Sequence, residues 1–424
     1  MGCSLNELPS DTLLQILYKL PQNLIHRCKC VCKLWSSLIS QPCFAAQYLL
    51  RTKLITPPPN PTLYVCLYSP KKLTPFPLKH STYGYGYDDH HKSWSQDSRT
   101  LSFGFLPQSE PAIRLLCTSN GLALCSTSYD CKCIYYVCNP VTKHWLTLPP
   151  PPICTSLALV GLVSYDRHFK VVRLVTSCTY TNAATCICTS SFYAETFDSR
   201  TNLWKVSPLI TIPQTILFWK PTKAVEYKGI LHWVSSQQGS TASQIMAFDP
   251  NLEKCRLIQA LGNTNSRPGW YATGVSHSGE HLYHVQVHIE NRSNSWRIWR
   301  LIEAEAGEDE WCLEHTFRLE DLELIVDENC ILPSNMNSYL LAVDPIDPNV
   351  LYFHTEDYNE PRRDPGIISV NIKTGRVETV YFPYHWKDTQ ESLYAYEEMM
   401  VFAFVPPSWP TSLPKIHHLD MIKE

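Results

Sequence analysis

Val137-Cys138-Asn139-Pro140-Val141-Thr142-Lys143-His144-Trp145 is an apolar run, a turn and a second run that ends on tryptophan. The pattern returns as Thr196-Phe197-Asp198-Ser199-Arg200-Thr201-Asn202-Leu203-Trp204 and as Ala247-Phe248-Asp249-Pro250-Asn251-Leu252-Glu253-Lys254-Cys255. It returns again as Ser369-Val370-Asn371-Ile372-Lys373-Thr374-Gly375-Arg376-Val377. In each copy an Asn or Asp opens the turn, and an apolar residue or Trp stands six positions later. Asn and Asp suit that place because their side chains bond the backbone two residues on. The openings at 139, 198, 249 and 371 are spaced by 59, 51 and 122 residues, and the last interval is about twice the others. A copy is therefore expected between them. Ile298-Trp299-Arg300-Leu301 through Trp311-Cys312-Leu313 supplies it, with 303–310 as an enlarged acidic turn.

A second turn precedes each copy: Asn120-Gly121, Asp166-Arg167, Lys228-Gly229, Ser278-Gly279 and Asp347-Pro348-Asn349. Each leads into an apolar run such as Ile230-Leu231-His232-Trp233 or Val350-Leu351-Tyr352-Phe353. Two hairpins per unit make a four-stranded repeat, the signature of a propeller blade. Met399–Val405 is a further strand with no turn partner after it, and the runs near Leu63–Tyr68 and Leu101–Leu106 lack one before. Pairing the two ends into a composite blade closes the ring and removes exposed edges. The expectation is an all-β propeller of six blades, with seven as the alternative. A β-sandwich fits less well, because the markers recur in pairs.

Upstream the periodicity is helical. Ser10 and Asp11 are placed to cap and charge a helix start. Leu13, Ile16, Leu17 and Leu20 form one stripe. Pro21 breaks it, and Asn23 can cap a second helix carrying Leu24, Cys28, Val31, Trp35 and Leu38 at near-heptad spacing. Gln41-Pro42 predicts a stop. A block this small rarely builds a self-sufficient core, so its apolar surface implies a binding partner; packing on the same chain is the alternative.

Leu8-Pro9, the Asp11 opening, Ile16-Leu17, Leu20-Pro21, Leu24, Val31-Cys32-Lys33, Trp35, Leu38-Ile39, Pro42 and Phe44 together resemble the F-box. One departure is Gln22-Asn23, where plant members often carry Val-Lys. The resemblance implies docking on the Skp adaptor of a Skp–cullin–F-box ubiquitin ligase, through Leu8, Pro9, Ile16, Leu17, Leu20, Pro21, Leu24, Val31, Cys32 and Trp35. Some of these must instead hold the helices together. Arg114–Leu122, Asn139–Thr142 and Trp145–Pro149 resemble the start of a plant F-box-associated domain, related to Kelch-type propellers, although the glycine doublet of true Kelch repeats is absent. The resulting domain plan is residues 1–50 for the docking helices, 51–62 for a Pro-rich linker, 63–405 for the propeller and 406–424 for a tail.

In 424 residues the hydrophobic content of 44% is that of a globular chain. A net charge of −3 with scattered Lys and Arg leaves no nucleic-acid footprint. The 18 cysteines form no C-x-x-C knuckles and follow no secretory segment, so buried thiols in a reducing compartment, cytoplasm or nucleus, are expected. No apolar run reaches the length of a spanning helix. Met1-Gly2-Cys3 is similar to a myristoylation start, but Asn6 stands where Ser or Thr is required.

Catalytic signals are weak. Gly84-Tyr85-Gly86 lacks the third glycine of a dinucleotide loop. Gly274–Gly279 misses nucleophile-elbow spacing and coincides with a repeat turn. Of His281, His284 and His288 only the last two share a strand face, so three ligands would not converge. His80, His90 and His91 fall in a polar, tyrosine-rich stretch read as a loop. No catalytic residue, metal or cofactor is expected. Segments that break the period, 79–99, 303–310 and 358–364, are candidates for holding a target protein. Tyr83, Tyr85, Tyr87, Trp94, Tyr358, Arg362 and Arg363 are their aromatic and cationic members. A propeller enzyme or small-ligand sensor with a helical cap, and an F-box protein acting outside degradation, are the competing functions.

Overall fold

In the computed structural model the described residues comprise most of 8–51, then, within 62–404, the strands with most of their tight turns, and residue 413. The longer stretches outside them are 1–7, 52–61, 68–75, 79–102, 177–185, 260–272, 327–335, 358–365, 382–398, 405–412 and 414–424. Contacts divide the chain into two units, residues 1–60 with 406–410, and 61–405 with 411–424.

The first unit holds α1 (Ser10–Leu17) and α2 (Lys33–Ile39). Pro9, not Ser10, is the N-cap of α1, and no side chain caps it; Asp11 contributes its charge in the first turn. The expected long second helix is broken by a turn at Lys29–Val31. Cys32 restarts it, its Sγ accepting a bond from the Trp35 N–H at 3.5 Å. Leu13, Leu17, Tyr18, Ile25, Trp35, Leu38, Ile39, Phe44 and Tyr48 close a small core. Tyr18 stacks on Phe44 at 4.9 Å, and the Tyr48 hydroxyl donates to the Leu20 carbonyl at 2.9 Å. The unit therefore does bury a core of its own, formed when the segment around Phe44–Tyr48 folds back on α1.

The second unit is built from strands paired antiparallel, except that the strand Ile325–Val326 runs parallel to the strand Arg376–Tyr381. It opens with β1 (Thr62–Leu67) and β2 (Phe76–Leu78). A four-stranded sheet follows, of β3 (Arg114–Ser119), β4 (Leu122–Ser126), β5 (Tyr135–Asn139) and β6 (His144–Thr147). Next come β7 (Ala158–Ser164), β8 (Phe169–Thr176), β9 (Cys186–Asp198), β10 (Leu203–Val206), β11 (Ile210–Trp219), β12 (Val225–Tyr227), β13 (Ile230–Gln237), β14 (Ser243–Asp249) and β15 (Lys254–Gln259), joined in one nine-stranded sheet. β16 (Thr273–Ser278), β17 (His281–Glu290), β18 (Ser293–Ile302) and β19 (Glu310–Arg318) form another four-stranded sheet. The five-stranded sheet holds β20 (Ile325–Val326), β21 (Met336–Val343), β22 (Val350–Asp357), β23 (Gly366–Asn371) and β24 (Arg376–Tyr381). Finally β25 (Met399–Phe404) returns to pair with β1, Thr62 opposite Phe404 and Leu67 opposite Met399.

The described residues thus form five sheets where six separate blades were expected. β11 is the reason: it pairs with β9 on one side and β13 on the other, fusing two turn repeats into one sheet. Its register against β9 shifts between Thr211 and Ile216, an irregularity in the ladder. The composite closure by the two ends of the propeller is present, as β2–β1–β25, but its third strand is Phe76–Leu78 and not the expected run near Leu101–Leu106, whose described residues 103–106 form a turn. The fifth turn repeat lies where the doubled interval placed it, with β18 and β19 paired around the acidic turn.

The turns show why the pattern folds. Asn139 Oδ1 accepts from the N–H groups of Val141 and Thr142 at 2.9 and 3.1 Å. Asp249 does the same for Asn251 and Leu252 at 2.7 and 3.1 Å, and Asn371 for Lys373 and Thr374 at 3.0 Å each. Four residues after each opening, Lys143, Asn202, Glu253 and Gly375 take positive φ between 53° and 70° and reverse the chain. The preceding turns Asn120-Gly121 and Lys228-Gly229 have positive φ at both positions, the primed geometry that matches strand twist.

Burial grades outward. β4 and β5 are wholly buried, whereas β6 and β10 are mostly exposed. One core runs from β3–β5 through β7–β9 to β13 and β14, with Phe169, Phe197, Phe218 and Trp233 at its centre. Gly161 marks the closest approach: a Cβ there would lie 2.6 Å from Leu231 Cδ1.

Candidate functional site

The ten residues expected to dock an adaptor are sorted by their burial. Leu17 is fully buried and Trp35 is 8% exposed; both hold the helices together. Leu8, Leu20 and Cys32 are half-buried against the same core. Pro9, Ile16, Leu24 and Val31 face solvent, Val31 at 61% exposure. Pro21 lies outside the described residues. Leu34, which the spacing argument passed over, is exposed as well. Its neighbour Trp35 carried the stripe, and a residue beside the stripe gives no periodic signal. The exposed set is apolar side chains that the unit's own core does not use, and such a surface can bind another apolar surface.

Tyr83, Tyr85, Tyr87, Trp94, Tyr358, Arg362 and Arg363 all lie outside the described residues. Glu303 at the head of the acidic turn is described, and its carboxylate accepts from Lys228 Nζ at 2.6 Å, tying β18 to the β12–β13 turn.

The repeat turns are tied to one another. Buried Lys170 on β8 donates to the Pro250 carbonyl at 3.1 Å and to Asn251 Oδ1 at 2.7 Å, and burial pulls its ammonium pKa down. Asn251 Nδ2 donates to the Tyr165 hydroxyl at 2.8 Å. Burial alone would raise the Asp198 carboxyl; the Arg200 guanidinium and N–H outweigh it and hold it below the usual range. On the inner strands Ser119 donates to Glu226 at 3.2 Å and accepts from the Ser164 N–H at 2.8 Å, linking β3, β7 and β12. Burial raises the Glu226 carboxyl despite the Gly229 N–H and Ser119. Deeper in, Arg173 pairs with Glu195, both essentially without exposure. Arg173 also holds the carbonyls of Ile153 and Thr155, and the Ile153 N–H reaches Glu195 at 2.5 Å. These groups are spent on bracing turns and joining strands, some within a repeat and some between repeats.

His284 is buried beside the Trp311 ring at 5.6 Å, while His281, on the same strand, is exposed. Among the described residues no group of three His, Cys, Asp or Glu could hold a metal ion. Gly274–Ser278 is strand β16, not a nucleophile turn. Cys117, Cys125 and Cys138 are buried, whereas Cys30, Cys154 and Cys312 are exposed, which the expectation of buried thiols did not foresee. Among the described residues no helix is long and apolar enough to cross a membrane.

Comparison with known proteins follows the same division. Residues 5–46 match the F-box domain, and residues 89–415 match the family described as F-box protein At3g26010-like, beta-propeller. F-box protein At5g07610 of Arabidopsis thaliana is 24% identical over 327 residues, covering 74% of this chain and 70% of that protein. F-box protein At3g26010 of the same plant is 29% identical over 369 residues, covering 85% and 76%. F-box protein At5g49610, also of that plant, is 24% identical over 337 residues, covering 75% and 81%. An N-terminal helical unit with exposed apolar residues, a ring stitched by its first and last strands, and a family match over more than half of the length agree: the chain belongs to the F-box proteins with a beta-propeller of the At3g26010-like type.

Proposed function

We propose that the chain is the substrate-recognition subunit of a Skp–cullin–F-box-type ubiquitin ligase. Its helices bind the Skp adaptor through Ile16, Leu24, Val31 and Leu34, with Pro9 and the half-buried Leu8, Leu20 and Cys32 at the margin. Its propeller holds a target protein. The observation that carries this reading is the exposure of those four apolar residues on a unit whose core is already closed without them. Such a subunit performs no bond chemistry. It raises the effective concentration of target lysines beside the charged ubiquitin carrier.

The test is co-purification of the full chain with the Skp adaptor, beside an Ile16→Asp/Val31→Asp variant. The wild type is expected to form a complex that the variant loses at an unchanged melting temperature. Undiminished binding by the variant, or no binding by the folded wild type, would defeat the assignment.

A further inference from the structure

Leu203 and Leu252 are the most exposed large apolar side chains among the described residues, at 68% and 65%. They stand on two neighbouring repeats, one just after the β9–β10 turn and one within the β14–β15 turn. Lys205 shares the strand face of Leu203, and its Nζ reaches Glu253, the residue after Leu252, at 2.6 Å. The two leucines therefore flank one ion pair.

The platform under them is stiff. Asp198 and Asp249 brace their own turns through backbone N–H groups. Lys170 and Tyr165 clamp Pro250 and Asn251 from the neighbouring repeat. A surface already ordered loses little entropy when a partner settles on it.

Its charges are not equally presented. Arg200, Lys205 and Lys254 stand beside Asp198, Asp249 and Glu253 on the two turns, and Lys254 is exposed. The cations also project further: Arg200 and Lys205 are 59% and 71% exposed, against 18% and 26% for their partners Asp198 and Glu253.

We propose that these two turns form a docking site for an acidic segment of the captured protein, whose bulky apolar side chains sit on Leu203 and Leu252 and whose carboxylates face Arg200, Lys205 and Lys254. The inference deepens the receptor reading and rests on it. The test selects binders to the full-length chain, with and without its adaptor, from a phage-displayed library of random peptides of about twelve residues, a length that spans both turns when extended. Enriched peptides are expected to combine Asp or Glu with two bulky apolar residues. A selected peptide, labelled for anisotropy, should bind Leu203→Ser/Leu252→Ser at least about tenfold more weakly, as for loss of a central apolar anchor. Lys254→Glu should weaken it too, and added salt should do so progressively. Neutral or basic enriched peptides, no enrichment, or unchanged affinity in the leucine variant would overturn the proposal. Adaptor binding by the same preparations separates the two readings. A wild type that binds the adaptor but enriches no acidic peptide defeats this site alone, and a wild type that ignores the adaptor defeats the receptor reading instead.

Discussion

At the scale of single residues the fold rests on a few polar groups placed where water cannot reach. Asn139 is fully buried and supplies two acceptor bonds to its own turn. Asn139→Ala should cost about 1–3 kcal/mol, measured by urea unfolding, because the turn loses both bonds that the buried side chain makes to its N–H groups. Arg173→Met should cost about 3–5 kcal/mol by stranding the Glu195 charge, and Glu195→Gln added to it should restore part of the loss. His232 is buried beside Arg256, and burial first, then that guanidinium, push its pKa from 6.5 down to about 4. Both folded and unfolded chains hold it neutral at pH 7. Between pH 6.5 and 4 the unfolded chain takes up a proton that the folded chain refuses, so stability falls as pH drops, by up to ~3 kcal/mol. His232→Leu should flatten that part of the stability-against-pH curve. These residues also mark how far the sequence could be read. The Asn and Asp openings were visible because turn chemistry is local. The helical stripe showed which face of α1 is apolar but not what covers it. Leu17 and Ile16 are neighbours in one stripe, yet only Leu17 joins the cluster that holds Phe44 and Tyr48, while Ile16 is exposed.

At the scale of elements β11 was the least legible. No turn marker announces it, since its role is to pair on both sides with strands of two different repeats. Its anchors Ile216 and Phe218 are fully buried. Ile216→Ala should cost about 2–4 kcal/mol, read as a lowered urea midpoint. Hydrogen exchange should report the same hierarchy. Amides of β9 and β13 at their β11 pairings should exchange with the slow core, and those of β6 and β10, each paired on one side only, should exchange sooner. Equal protection of β10 and β9 would contradict this order.

At the scale of the whole molecule the helical unit and the propeller each carry a core, so the apolar residues left over on each are available for partners. For the propeller, one seam decides integrity. Truncation after Glu398 removes β25 and exposes the edge of β1. The expected result is aggregation on size-exclusion chromatography, where the full chain elutes as a discrete species. The seam also imposes a timetable. Thr62 and Phe404 pair across 342 residues of chain (404 − 62). Loop closure on that span is slow and comes after the local hairpins. During synthesis β1 emerges early and waits for the last strand. The helical unit, made before it, is thus complete while the ring is still open, and the newborn chain spends its longest vulnerable interval with a bare edge on β1.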